Sequence, residues 1–243
     1  KVKIMKGMKM IVGVLCATML LGSCNMNNTT KGALIGAGGG GAAGAGIGAG
    51  IGALVNGKKG AKLGAAIGAG VGVAAGTTAG ALIGKKMDKA KAAAAAIAQA
   101  ETFTDANGLE GVKVTFDNGI LFEVGKSTLK SAAQNSLAKF ASNVLNVYTD
   151  CDVNIYGFAS SDGSDATNLT LSQSRAQAVA NYLTNKCAVA NKQIRTVTGF
   201  GENPDYLIYK ADGKEDQQAS RRVEVYLYAS EDMIKAANAG TLK

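Results

Sequence analysis

The stretch GFASSDGSDATNLTLSQSRAQAV, residues 157–179, decides how the second half of the chain is read. It opens on a glycine that ends an alternating run, Val153, Ile155 and Gly157. It then crosses a loop of small polar residues and closes on Ala176 and Val179, which share a helical face with Leu183. Ser172 is a natural N-cap for that helix, and Arg175 then takes the third helical position, where a capping box would place Glu. A cation beside the positive end of a helix dipole is unfavourable by roughly a few tenths of a kcal/mol unless an anion binds there. The expectation is an anion held by Arg175 and the free N–H groups of the first turn.

Working outward, Val112, Val114 and Phe116 form a period-two strand, and Leu129, Ala133, Leu137, Phe140 and Val144 form a helical stripe. Residues 194–199 and 221–228 supply two more strands. The order is βαβαββ, an α/β (α+β sandwich) domain over residues 109–230 with helices against one sheet. A segment of this length can bury its own core. Alternation puts Arg221 in phase with Val223, Val225 and Leu227, facing the helices, and Arg222 with Glu224 on the other face.

Together with GFGENP (residues 199–204) and RRVEVYL (residues 221–227), the opening stretch resembles the OmpA-like C-terminal domain, over about residues 110–229. Asn168, Leu171, Ser172, Arg175 and Ala176 match that family's N-x-x-L-S-x-x-R-A element, and Gly163 matches the last glycine of its G-H-T-D-x-x-G element. The resemblance implies non-covalent binding of peptidoglycan through the diaminopimelate of the stem peptide. The sequence departs from the family at Phe158, usually His, and at Ser160, usually an Asp that pairs with the ligand's ammonium group. Either the Ser160 hydroxyl or Asp162 takes over that contact. The candidate binding set is therefore Ser160, Asp162, Asn168, Leu171, Ser172, Arg175 and Arg221.

The N-terminal part is of another kind. A basic start (Lys6, Lys9), an apolar run over residues 10–21 and Leu21-Gly22-Ser23-Cys24 read as a signal peptide over residues 1–23 ending in a sequence that resembles the bacterial lipobox. Cys24 would then be acylated, with residues 24–31 as the lipidated N-terminus. Residues 32–84 hold 20 of the chain's 33 glycines, thirteen of them at every fourth position in two runs, Gly32 to Gly52 and Gly60 to Gly84. That spacing lets helices pack closely in lipid, and it resembles the glycine-zipper motif of envelope lipoproteins. The expectation is a transmembrane helical hairpin over residues 32–86, with limbs at 33–55 and 63–83 of about 34 and 32 Å at 1.5 Å per residue. Lys85, Lys86 and Lys89 mark its exit. A helical linker follows over residues 87–108, and residues 231–243 are a tail.

Charge supports the division. Residues 1–100 carry twelve Lys/Arg against one acid, Asp88, whereas residues 101–243 carry fourteen against seventeen acids. The basic excess lies outside the folded part, which disfavours nucleic acid as a partner. The absence of His excludes Ser-His-Asp and Cys-His catalysis and His-ligated zinc or haem. No catalytic constellation, metal site or cofactor is expected. Cys151 and Cys187 should lie at the end of the domain opposite the ligand site, where an oxidising periplasm would let them pair.

The reading is an envelope lipoprotein, anchored by lipid and hairpin, whose periplasmic domain tethers the membrane to peptidoglycan. The outer membrane is favoured over the inner. The alternative is a glycine-zipper oligomer or pore that wall binding merely positions; homo-oligomers fit either. An ion-driven stator is disfavoured by the lack of any acid within residues 32–84.

Overall fold

A computed structural model of the protein describes residues 78–105 and 108–242. The expected signal peptide, Cys24 and the hairpin as far as residue 77 lie outside the described residues. The described chain runs α1 (Thr78–Ala95), β1 (Gln99–Thr104), β2 (Glu110–Asp117), α2 (Asn118–Leu121), α3 (Ser131–Phe140) with a π-turn (Ala141–Leu145), β3 (Cys151–Phe158), α4 (Asp165–Cys187), β4 (Ile194–Gly199), α5 (Gln217–Ser220), β5 (Arg222–Ala229) and α6 (Glu231–Asn238).

The five strands form one sheet in the order β1-β2-β5-β3-β4. β5 is antiparallel to both neighbours, and β4 is parallel to β3 across the α4 crossover. The C-terminal ends of β2, β3 and β4 therefore meet the start of β5 at one end of the sheet, and the loops collected there build the site. Alternation sorts the faces as expected: Val112, Val114, Val153, Ile155, Val223, Val225 and Leu227 are fully buried, together with Leu137 and Phe140 of α3 and Val179 and Leu183 of α4. Two glycines set how closely α4 approaches. A Cβ at Gly157 would collide with the Ser172 carbonyl, and one at Gly199 with the Gln173 backbone.

The expected α/β domain is present but larger at both ends. The linker over residues 87–108 is not a free spacer. It is helical only to Ala95, and Gln99–Thr104 pairs with β2 as an edge strand. α1 packs on the sheet through Ala79, Ile83, Met87, Ala90 and Ala94, all buried. Its buried residues recur at three- and four-residue intervals, a stripe that suits a sheet face as well as a lipid-embedded helix contact. Lys86 does not mark a membrane exit, because its Nζ pairs with Asp150 at 2.6 Å.

The expected second limb of the hairpin, 63–83, thus gives up residues 78–83 to this domain. Among the described residues no helix is long and apolar enough to cross a membrane. The expected tail is also structured: α6 is capped by Ser230, whose Oγ accepts from Met233 N, and it buries Met233, Ile234 and Ala237 against α1 and the sheet.

The expected disulfide is absent, and Cys151 and Cys187 are free thiols. Cys151 starts β3 with its side chain inside the core, where burial and then the nearby Asp150 push its thiol up to about 12. Cys187, at the end of α4, is only partly buried and interacts with the Tyr182 hydroxyl. One sulfur faces the core and the other lies against its own helix.

Candidate functional site

The loop between β3 and α4 places the site. α4 starts at Asp165, capped by Ser164, whose Oγ accepts from Thr167 N. The expected N-cap at Ser172 is therefore corrected. Ser172 lies inside α4 and is fully buried; its Oγ donates to Leu169 O and accepts from Gly201 N, both at 2.9 Å. It locks the β4 exit loop to the helix. Asp165 occupies the first turn of α4, where a carboxylate suits the helix dipole. Arg175 is mid-helix, so first-turn N–H groups cannot share an anion with it in the way expected.

Arg175 is nevertheless buried at the base of these loops. The residue is 2% exposed, its Nε donates to Lys126 O at 3.0 Å, and its guanidinium lies 5.4 Å from the Phe122 ring centroid. It forms no salt bridge with any acid of the described residues. Burial, and secondly repulsion from Arg221, bring its pKa down to about 10. A buried cation without a counter-charge is costly, and a second arginine beside it adds to that cost.

Arg221 reaches the same place from just before β5. Its Nη1 donates to Ser160 Oγ at 3.1 Å and lies 3.4 Å from Asp162 Oδ2. The other oxygen of Asp162 accepts from Gln217 Nε2 at 2.7 Å. The predicted division of the two arginines holds, since Arg222 is on the opposite face. There its Nε pairs with Glu224 Oε1 at 2.7 Å and its guanidinium sits 4.1 Å from the Phe158 ring centroid. Phe158, where the family usually has His, thus serves as a platform for Arg222.

Asn168 ties the loop together. Its Nδ2 donates to Ser160 O at 3.1 Å, to Asp162 O at 2.8 Å and to Glu202 Oε2. Gly163 turns the same loop with φ 108°, a conformation open to glycine. Glu215 closes the outer side by accepting from Ser161 N and Oγ.

The structure therefore brings Ser160, Asp162, Asn168, Arg175 and Arg221 together. Ser172 supports them from beneath, and Leu171 is half-buried on α4 with no polar group to offer a ligand. Phe122, Lys126, Glu202, Glu215 and Gln217 also belong to the site. Glu202 lies in the GFGENP element, but nothing in the sequence neighbourhoods of the other four marks them, because each arrives from another loop. Among the described residues no cluster of His, Cys, Asp or Glu could hold a metal ion.

The model of the OmpA family matches residues 121–222, from the end of α2 to the start of β5, and this segment is an OmpA-like domain. Outer membrane protein A of Salmonella typhi is 32% identical over 128 residues, 49% of this chain and 36% of that protein. The probable lipoprotein YiaD of Escherichia coli (strain K12) is 35% identical over 119 residues, 49% of this chain and 52% of that protein. The chain thus spans between a third and about half of the length of these relatives. A crystal structure of a putative MotB-like protein from Desulfovibrio vulgaris is similar with a TM-score of 0.47 at 20% identity, covering 60% of this chain and 88% of that one.

Proposed function

We propose that the chain is a bacterial envelope protein whose OmpA-like domain binds peptidoglycan without a covalent bond and so holds its membrane to the cell wall. The observation that carries this reading is Arg175, buried, without an acidic partner among the described residues, and with Arg221 beside it. Two cations close enough to repel one another suit a carboxylate, which guanidinium groups bind through paired N–H donors. A carboxylate of diaminopimelate in the stem peptide meets that demand, and the kinship with outer membrane protein A and a probable lipoprotein supports an envelope setting. Acylation of Cys24 and residence in the outer membrane belong to the same proposal, as do the absence of catalysis and of any cofactor.

The test is co-sedimentation of the purified full-length chain with insoluble peptidoglycan. Wild type is expected to pellet and Arg175→Ala to stay largely in the supernatant. Equal pelleting of the two proteins would remove this site from the function.

A further inference from the structure

At the same end of the sheet a second cleft, of about 390 Å³, opens where β1 begins. The first residue of β1, Gln99, pairs with Thr115, so Phe116 and Asp117 at the end of β2 have no strand beside them on that side. Their other edge is taken by β5 through Val223 and Arg222. The apolar walls of the cleft are Ile97, Ile120 and Ile208, of which the last two are 54% and 37% exposed. Of the charges that reach it, Lys113 pairs with Glu101 at 2.9 Å and Arg222 with Glu224 at 2.7 Å, while Asp117 accepts from Gly119 N and Gln218 Nε2. Arg221 lines the cleft as well, and its Nη1 is the group that donates to Ser160 Oγ in the proposed anion site. Cleft and anion site therefore adjoin through Arg221.

The distribution of exposed apolar side chains points the same way. Ile120, Val124, Leu169, Ile208 and Tyr209 stand on the loops and helix start of this end, whereas Leu82 and Val147 stand away from it. Apolar residues gathered around a cationic site mark a binding surface more than scattered ones do.

We propose that the cleft is a second subsite for the same polymer, taking the peptide segment next to the residue whose carboxylate sits on Arg175 and Arg221. The inference rests on the anion-binding reading above. An open strand edge offers N–H and C=O groups to peptide amides, as in strand addition. Isoleucine walls accept small aliphatic side chains. The volume is at the small end of ligand clefts.

Titration calorimetry on the full-length chain tests this with three probes: free diaminopimelate, a stem tetrapeptide containing it, and a peptide-free glycan strand. The tetrapeptide is expected to bind roughly tenfold more tightly than diaminopimelate, a factor equal to about 1.4 kcal/mol. Ile120→Ser with Ile208→Ser is expected to abolish that gain while diaminopimelate binds as before, and Val147→Ser is expected to change neither. Shifts of the Thr115 and Asp117 amide resonances on adding the tetrapeptide give an independent readout in the unmodified chain. Equal affinity for the two peptide probes in wild type, or a gain untouched by the double substitution, overturns the cleft alone. A gain carried by the glycan strand overturns the peptide assignment. Failure of both peptide probes to bind removes the anion reading and the cleft with it.

Discussion

Arg175 is a cation that the fold has taken out of water and given one carbonyl and one aromatic face in return. Neither carries a full negative charge, so the site is held in a costly state that an incoming anion relieves. Replacing it with an apolar residue of similar length should therefore separate function from stability. Arg175→Met is expected to leave the thermal midpoint unchanged or raise it, since a buried unpaired charge is removed, while pelleting with peptidoglycan is lost. A midpoint lower by many degrees would mean that Arg175 is mainly structural. Deprotonation acts in the same direction on binding. With the folded pKa near 10, capture of an anion should fade as pH rises through that value.

At the scale of elements, the decisive contact is between α4 and the ends of β3 and β4, where Gly157 and Gly199 meet the backbone at Ser172 and Gln173. Gly199→Ala is expected to destabilise by roughly 1–3 kcal/mol through overpacking and to weaken binding, because α4 carries Arg175. Urea unfolding and co-sedimentation of the same variant check both halves of that statement. The helix α1 provides a different test. If residues 78–95 were only a spacer, Met87→Ala would be silent. With Met87 fully buried against the sheet, it is expected to cost about 2–5 kcal/mol, visible as a lower urea midpoint.

At the scale of the whole molecule, the outer sheet face carries one buried and two half-buried phenols. Burial is the main cause that pushes Tyr156, Tyr226 and Tyr228 well above the ordinary phenol range; Tyr226 has the Glu224 carboxylate as a further cause, its hydroxyl donating to Oε2 at 2.7 Å. In the unfolded chain these groups lose their protons near pH 10, while in the folded chain they keep them. Stability is thus complete below about pH 10 and falls as pH rises beyond it. Arg175 opposes this, since its folded pKa is depressed, but one group stands against three. Thermal melts between pH 8 and 11.5 should show a falling midpoint above 10, with a shallower fall in Tyr228→Phe. A midpoint that is flat or rises over that range would contradict the assignment.

The sequence alone determined the alternating strands, the α4 stripe, the pairing of Arg222 with Glu224 away from Arg221, and the residues of the loop that hold the site. These follow from period and local chemistry, which neighbours in the chain carry by themselves. It misplaced the start of α4, because Ser164 and Ser172 are both good caps and only the docking of Gly201 onto the Ser172 hydroxyl distinguishes them. It also took α1 for spacer and membrane segment, because small residues at helical spacing fit a sheet face as well as they fit lipid. Tertiary structure decided where that stripe is buried, kept the two cysteines apart, and brought Phe122, Lys126 and Gln217 around the arginines. Those are contacts between residues 50 or so apart in the chain, and no local pattern encodes a burial that only packing creates.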